Sequence, residues 1–398
     1  MSETALPQLP FPTPDPLGLA PALGTLREHT PITRVRTRTG DEAWLVTTHE
    51  HVRALLGDPR LGRSHPEPEK AARLHDGVLL GGPSGDHEHE QESHRRMRRL
   101  LAPAFSARRM RALDDHVRAL VSTLVDDLLG RDRPADVHDA LSVPLPTLVI
   151  CELLGVPYAD RDRFRVWSEQ AGSLEGGSSR AGITALGTYV WGLLAAKRDD
   201  PGEDVLSDLV AAQREDPTLT DLMVAGMATG LLFAGHETTV NRIDAGVLRL
   251  FPHDGAPVPL PSPDDVARAV EEIVRLPVPG GGRGGGLIRY AREEVEIEGT
   301  VIAPGDAVVL SIGAANQDPS VFAAPAELDL ERPDNPHLGF GHGVHHCIGA
   351  SLARVELRAV FATLPARVPT LRVAVPPEAL RCREDNLTGG LSELPVTW

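Results

Sequence analysis

The chain has 398 residues, 41% hydrophobic and 24% charged, a composition that suits a folded protein with a large core and excludes a disordered one. With 56 acidic against 40 basic residues its formal charge is -16, which argues against the nucleic-acid backbone as main partner. Three scattered cysteines, Cys151, Cys347 and Cys382, speak against disulfide stapling; with no signal-peptide pattern and no apolar run of ~18 residues, a cytoplasmic protein is expected.

In chain order, residues 1–31 carry prolines at 7, 10, 12, 14, 16 and 21 and are expected to form an extended leader on the surface. Residues 43–47 predict a short strand and 50–56 a helical turn beside it. Residues 62–92 are polar and glycine-bearing, the profile of a long loop of the kind that often covers a binding site. Helical patterns follow at 94–101, 107–129, 145–154, 161–170, 181–196 and 205–212. Thr220 is the expected N-cap of the longest helix, which runs to about Leu250 and is apolar enough to cross the core. A proline-rich interruption at 252–263 precedes another helix at 266–276, then short strands at 295–297 and 307–310 and an irregular stretch at 319–338. The pattern predicts one mainly helical domain over 1–398 with a small sheet.

Three segments carry chemistry. Cys347 stands in Phe340-Gly-His-Gly-Val-His-His-Cys-Ile-Gly349, immediately before a helical pattern at 350–364. Glycines permit a tight loop and the close approach of a large flat group, and the free N–H groups of the following turn favour a thiolate. A small buried hydrophobe is the commoner role of a lone cysteine, so residue type leaves both readings open. Ala234-Gly-His-Glu-Thr-Thr239 lies mid-way along the long helix, where small residues leave room for a bound group. Glu237 and Thr238 there form either a proton relay or a channel-facing acid beside a back-bonded hydroxyl. Glu272 lies three residues before Arg275 and Glu271 four, so either acid could pair with this arginine. His94, Arg98, Arg289 and His345 are separately ordinary charges, and together a donor set for carboxylates.

Together these segments resemble the bacterial cytochrome P450 family, of the actinobacterial biosynthetic type. The haem loop Phe-Gly-x-Gly-x-His-x-Cys-x-Gly is complete at 340–349, the oxygen-activating helix signature stands at 234–239, and Glu-x-x-Arg at 272–275. The resemblance extends from the Pro12-Thr-Pro-Asp leader to Leu394-Pro-Val-Thr-Trp398. It implies a mainly α fold with small β-sheets around a buried haem b, Cys347 as axial thiolate and iron ligand, and Phe340 packed beside it. His94, Arg98, Arg289 and His345 would hold the propionates, Glu237 and Thr238 would be the distal acid and alcohol, and Glu272 rather than Glu271 would join Arg275 in a structural pair.

The implied activity is a monooxygenase that uses O2 and two electrons to hydroxylate, epoxidise or cyclise a bulky secondary metabolite. A polyketide or macrolide is the expected substrate, with a terpenoid, a peroxide-driven enzyme or a non-catalytic haem protein as alternatives. Electrons would come from a separate ferredoxin and its NAD(P)H-dependent reductase, docking near Arg108 and Arg109; neither nucleic acid nor a membrane is expected as partner. Three departures stand out. Gln317 replaces a common arginine and is expected to weaken the Glu272 network. The glycine-rich 277–287 stretch around Arg283 replaces an apolar run and is expected to form a roomy substrate wall, and 252–263 interrupts a usual helix.

Overall fold

The Thr220 hydroxyl accepts the Met223 amide at 3.3 Å, and from this cap a helix of 30 residues runs unbroken to Leu250. The computed structural model describes residues 5–281 and 286–398. Within them the helices are α1 (Pro21–His29), α2 (His49–Gly57), α3 (Glu90–Leu101), α4 (Ala107–Leu129), α5 (Pro144–Leu154) and α6 (Arg161–Ala171), followed by α7 (Gly176–Asp199), α8 (Val205–Glu215), α9 (Asp221–Leu250), α10 (Pro263–Arg275), α11 (Ile312–Ala315) and α12 (Ala350–Arg367). The architecture is mainly α with small sheets, and α9 is its spine: α5, α6, α7, α10 and α12 all pack on it. Where α9 meets α12 the approach requires glycine, since a Cβ on Gly246 would lie 2.1 Å from the Phe361 ring.

The strands are β1 (Ile32–Arg36), β2 (Glu42–Val46), β3 (Leu61–Gly62), β4 (Ala135–Asp136), β5 (Leu287–Ala291), β6 (Val295–Ile297), β7 (Thr300–Ile302), β8 (Ala307–Leu310), β9 (Arg372–Val373) and β10 (Pro395–Thr397). Five of them form one sheet in the order β1-β2-β8-β5-β3, in which only β2 and β8 run parallel. Register in this sheet sets Arg289 opposite Val308. Apolar clusters form on the sheet, and a larger one fills the helical layer.

Residues 1–31 are not wholly extended, contrary to expectation. Pro21 occupies the first turn of α1, where its missing N–H costs nothing, and the Leu9 and Arg36 amides tie the segment before it to β1. The long loop behaves as expected in outline, staying irregular from Arg63 to His89. Its start is pinned by Glu90 at the head of α3, which accepts the Arg63 amide at 2.7 Å and the Ser64 amide at 3.0 Å. No helix among the described residues is long and apolar enough to cross a membrane.

Candidate functional site

The cysteine loop is closed by the Cys347 amide, which donates to the Phe340 carbonyl at 2.8 Å. Gly341 and Gly343 take φ of +73° and +68°, a region that favours glycine, and a Cβ on Gly343 would lie 2.9 Å from Gly57 at the end of α2. The Cys347 side chain is exposed, yet protein surrounds it closely enough that burial pushes its thiol up. The N–H groups of Gly349 and Ala350 and the charges of Arg98 and Arg354 oppose that rise, the direction the sequence reading assigned to the helix start.

Behind the loop lies a braced network. Arg275 is fully buried and donates to both oxygens of Glu272, at 2.7 and 2.8 Å. Arg332 Nε and Asn335 Nδ2 donate to the same carboxylate at 3.1 and 3.0 Å. Arg332 thus completes the network that Gln317 was expected to leave weaker; it arrives from the irregular 319–338 stretch, which periodicity could not place. Glu271 is a separate pair: Arg354 holds both its oxygens, His337 joins at 3.0 Å, and the Arg354 guanidinium lies 4.4 Å over the Phe340 ring. The choice of Glu272 over Glu271 therefore stands, and Glu271 links α10 to α12, the helix that follows the Cys347 loop.

The four predicted clamps are brought together. The His94 and His345 rings lie 4.1 Å apart, and Arg98 Nη1 donates to the His346 carbonyl at 2.9 Å. Arg289 is 5% exposed and donates to the Ile288 carbonyl at 2.8 Å. Burial and then the charges of His94, Arg289 and Arg63 push His345 down to about 3, while burial and then Arg63 lower Arg289 to about 10. Arg63 belongs to this cluster although the sequence reading passed it over, because one arginine in a polar loop carries no signal. Glu90 is the one acid that acts on these groups, so the cluster holds an excess of positive charge.

On α9 the acid and the alcohol face different ways. Ala234 and Thr238, one turn apart, are exposed in the middle of a largely buried helix, and Thr238 Oγ1 donates to the Ala234 carbonyl at 2.8 Å. Glu237 is 3% exposed and accepts from Arg383 Nη2 at 3.0 Å. The same open face continues to Gly230 and Gly226, where it lines a cavity of about 510 Å3 with Leu79, Ile183, Gly187 and Trp191. Leu79 belongs to the long loop, which therefore does wall a cavity. Among the described residues of the glycine-rich segment none lines it: Gly280 packs against Cys382 and Gly286 against the Leu310 carbonyl, while residues 282–285, Arg283 among them, lie outside the described residues.

A helical fold with one thiol in a glycine loop, and an exposed threonine on a long central helix, defines the haem-thiolate class of oxygenase. The family model for cytochrome P450 matches residues 267–382. Pentalenolactone synthase of Streptomyces exfoliatus is 44% identical over 99% of both chains, and mycinamicin IV hydroxylase/epoxidase of Micromonospora griseorubida 39% over 98% of both. Among solved structures, the substrate-free cytochrome P450 PimD, a pimaricin epoxidase, superposes with a TM-score of 0.85 at 39% identity, covering 99% of this chain and 100% of that one. The chain belongs to the cytochrome P450 family of bacterial haem-thiolate monooxygenases.

The cofactor of this family is haem b with an axial cysteine thiolate, and the residues present fit it. Cys347 presents an exposed sulfur, the excess of imidazole and guanidinium groups calls for anionic partners such as two propionates, and exposed Ala234 and Thr238 leave a helix face bare.

Proposed function

We propose that Cys347 is the axial ligand, that Arg63, His94, Arg98, Arg289 and His345 hold the propionates, and that the enzyme oxidises a bulky, neutral polyketide or macrolide. Haem, when bound, supplies activation of O2 for insertion of one oxygen atom into a C–H bond or an alkene. The chain supplies position and protons. Phe340, fixed under the Arg354 guanidinium, packs beside the loop that aims the sulfur. Thr238 is the one hydroxyl of the 234–239 signature that is exposed, which suits it to pass a proton to the cavity, with Glu237 behind it as acid reservoir.

The observation that carries this assignment is the exposed Thr238 on a largely buried helix, about two turns from the apolar cavity at Gly230. That cavity is lined by aliphatic, aromatic, glycine and threonine side chains with no acid or base, which favours a neutral lactone over a carboxylated substrate. The mycinamicin and pimaricin enzymes support a macrolide; pentalenolactone synthase, at higher identity, supports a terpenoid as second reading.

Electrons would be delivered by a separate ferredoxin and its reductase. Of the two arginines suggested for docking, Arg109 is tied to Asp208 and the Glu203 carbonyl, leaving Arg108 exposed. Cysteines without disulfides fit a reducing cytoplasm.

The test is turnover of macrolide aglycones and neutral terpenoids by haem-loaded enzyme with ferredoxin, reductase and NADPH. Thr238→Ala is expected to keep haem and substrate binding but divert reducing equivalents to peroxide. Product formation that needs peroxide and never NADPH would overturn the oxygenase reading, and full coupling in Thr238→Ala would remove the proton role.

A further inference from the structure

Glu237 does not point where Thr238 points. Its Oε2 is held from the other side by the loop of residues 382–391: Arg383 Nη2 donates at 3.0 Å and Thr388 Oγ1 lies at 3.4 Å. Arg383 Nη2 also donates to Asn241 Oδ1 at 3.2 Å, one helical turn further along α9, and Asn241 Nδ2 returns a bond to the Thr388 carbonyl at 3.0 Å. The loop is seated so closely that a Cβ on Gly390 would lie 2.0 Å from Asn241 Oδ1 and 2.8 Å from Arg383 Nη2, and Gly390 has φ of +98°. Further bonds fasten it to the turn between α6 and α7, through Leu387 N to Gly172 O at 2.7 Å and Leu174 N to Asp385 O at 2.9 Å.

The charges around Glu237 are few. His236, on the same helix, has its Nδ1 3.7 Å from Oε1, but the ring is fully buried, neither nitrogen has a hydrogen-bond partner, and burial lowers its pKa. His138 is paired with Asp244 at 2.7 Å, and Arg165 on α6 acts on His236 only at a distance. Glu384 and Asp385 belong to the same loop as Arg383, and Asp385 is bound by Arg38 at 2.9 Å. Arg383 is therefore the cation in direct contact with Glu237. Burial would push this carboxyl up, and Arg383, then His236 and the hydrogen bonds, more than reverse it. The Arg383 side chain is 17% exposed against 4% for Glu237, so it is the wetter member of the pair.

We propose that Arg383 is a positioning residue for Glu237, turning the carboxylate toward the C-terminal loop so that it collects protons from the Arg383 and Thr388 side before yielding them toward Thr238. This deepens the assignment of Glu237 and Thr238 as the proton pair and rests on it. Nothing in the signature at 234–239 points to residue 383; the loop is brought to α9 by tertiary packing.

The test uses haem-loaded enzyme with ferredoxin, reductase and NADPH. Arg383→Gln is expected to lower product formed per NADPH by roughly 10-fold, with peroxide rising and substrate KM unchanged, because the acid is misplaced while the cavity is intact. Coupling should also become dependent on pH, since a buried carboxyl without its cation is pushed up and titrates. Arg383→Lys should restore most of the coupling. A readout apart from activity is the thermal stability of Arg383→Gln against wild type across pH. The folded carboxyl is held below its unfolded value in the wild type and raised above it in the variant. The deficit should therefore be smallest in acid and grow as pH rises, and vanish as a pH effect in the Glu237→Gln background. Wild-type coupling in Arg383→Gln, a deficit independent of pH, or failure of Arg383→Lys to recover would each overturn the proposal. Should Arg383→Gln not fold, Thr388→Val must still lower coupling with haem and substrate binding intact, and wild-type coupling there overturns it equally. Uncoupling in Thr238→Ala without any in the loop variants would sink this inference alone, whereas full coupling in Thr238→Ala would sink the proton pair beneath it.

Discussion

The two sides of the candidate haem site are built on opposite principles. On the side of Cys347 nearly every polar group is spoken for: Glu272 is held by Arg275, Arg332 and Asn335, Glu271 by Arg354 and His337, and Gly341 and Gly343 have φ values that disfavour a side chain. On the side of α9 and α7 the surface is apolar and unfilled. A Cβ on Gly187, Gly226 or Gly230 would meet nothing within 4 Å. The difference teaches where each kind of selection acts: ligand geometry tolerates little displacement and is over-determined by buried ion pairs, while substrate shape is accommodated by leaving space.

The contrast breaks most completely at the sulfur. Cys347→Ala should abolish the red-shifted carbon monoxide band of the reduced protein, and survival of that band would remove Cys347 as ligand. Next comes the brace. Glu272→Ala leaves Arg275 and Arg332 buried without their carboxylate, and denaturant unfolding should show a loss of about 3–5 kcal/mol.

Glu271 sharpens the comparison through pH. Burial alone would raise its carboxyl, but Arg354 and His337 more than reverse this, to about 2. The folded value lies below the unfolded one of about 4.3, so the stability it contributes is complete above that pH and is lost as pH falls toward about 2. Glu271→Gln should therefore cost on the order of 2 kcal/mol at neutral pH, shrinking to nothing in strong acid, as a series of melting curves would show.

The smallest effect, and opposite in sign, belongs to the open side. Gly230→Ala should stabilise α9 by up to about 1 kcal/mol, because glycine is a poor helix former and the space is free. Gly230→Leu should fold equally well yet weaken binding of a bulky substrate, measured by titration of the haem absorbance. Unchanged affinity in that variant would place the substrate elsewhere.

Local pattern was enough for the helices whose apolar spacing or caps are strong, such as Ala107–Leu129 and the Thr220-capped α9, and for the thiol loop, whose ten positions are contiguous. It failed for α1, where proline density masked a Pro-initiated helix. It failed again for Arg63, Arg332 and Arg383, each a single basic residue in an irregular segment.

The sequence by itself determined the reaction class, because the cysteine, its glycines and the acid–alcohol pair stand in contiguous motifs that carry the family resemblance. Tertiary structure alone decided which cation faces which carboxylate: that Arg332 reaches Glu272, Arg354 reaches Glu271 and Arg383 reaches Glu237. Those pairings join residues 60 to 146 positions apart, whose meeting depends on how loops are packed against helices rather than on any pattern along the chain. The same holds for the open glycine face of α9, which reads in sequence as helix weakness and becomes a cavity only because α7 and the long loop stand across from it.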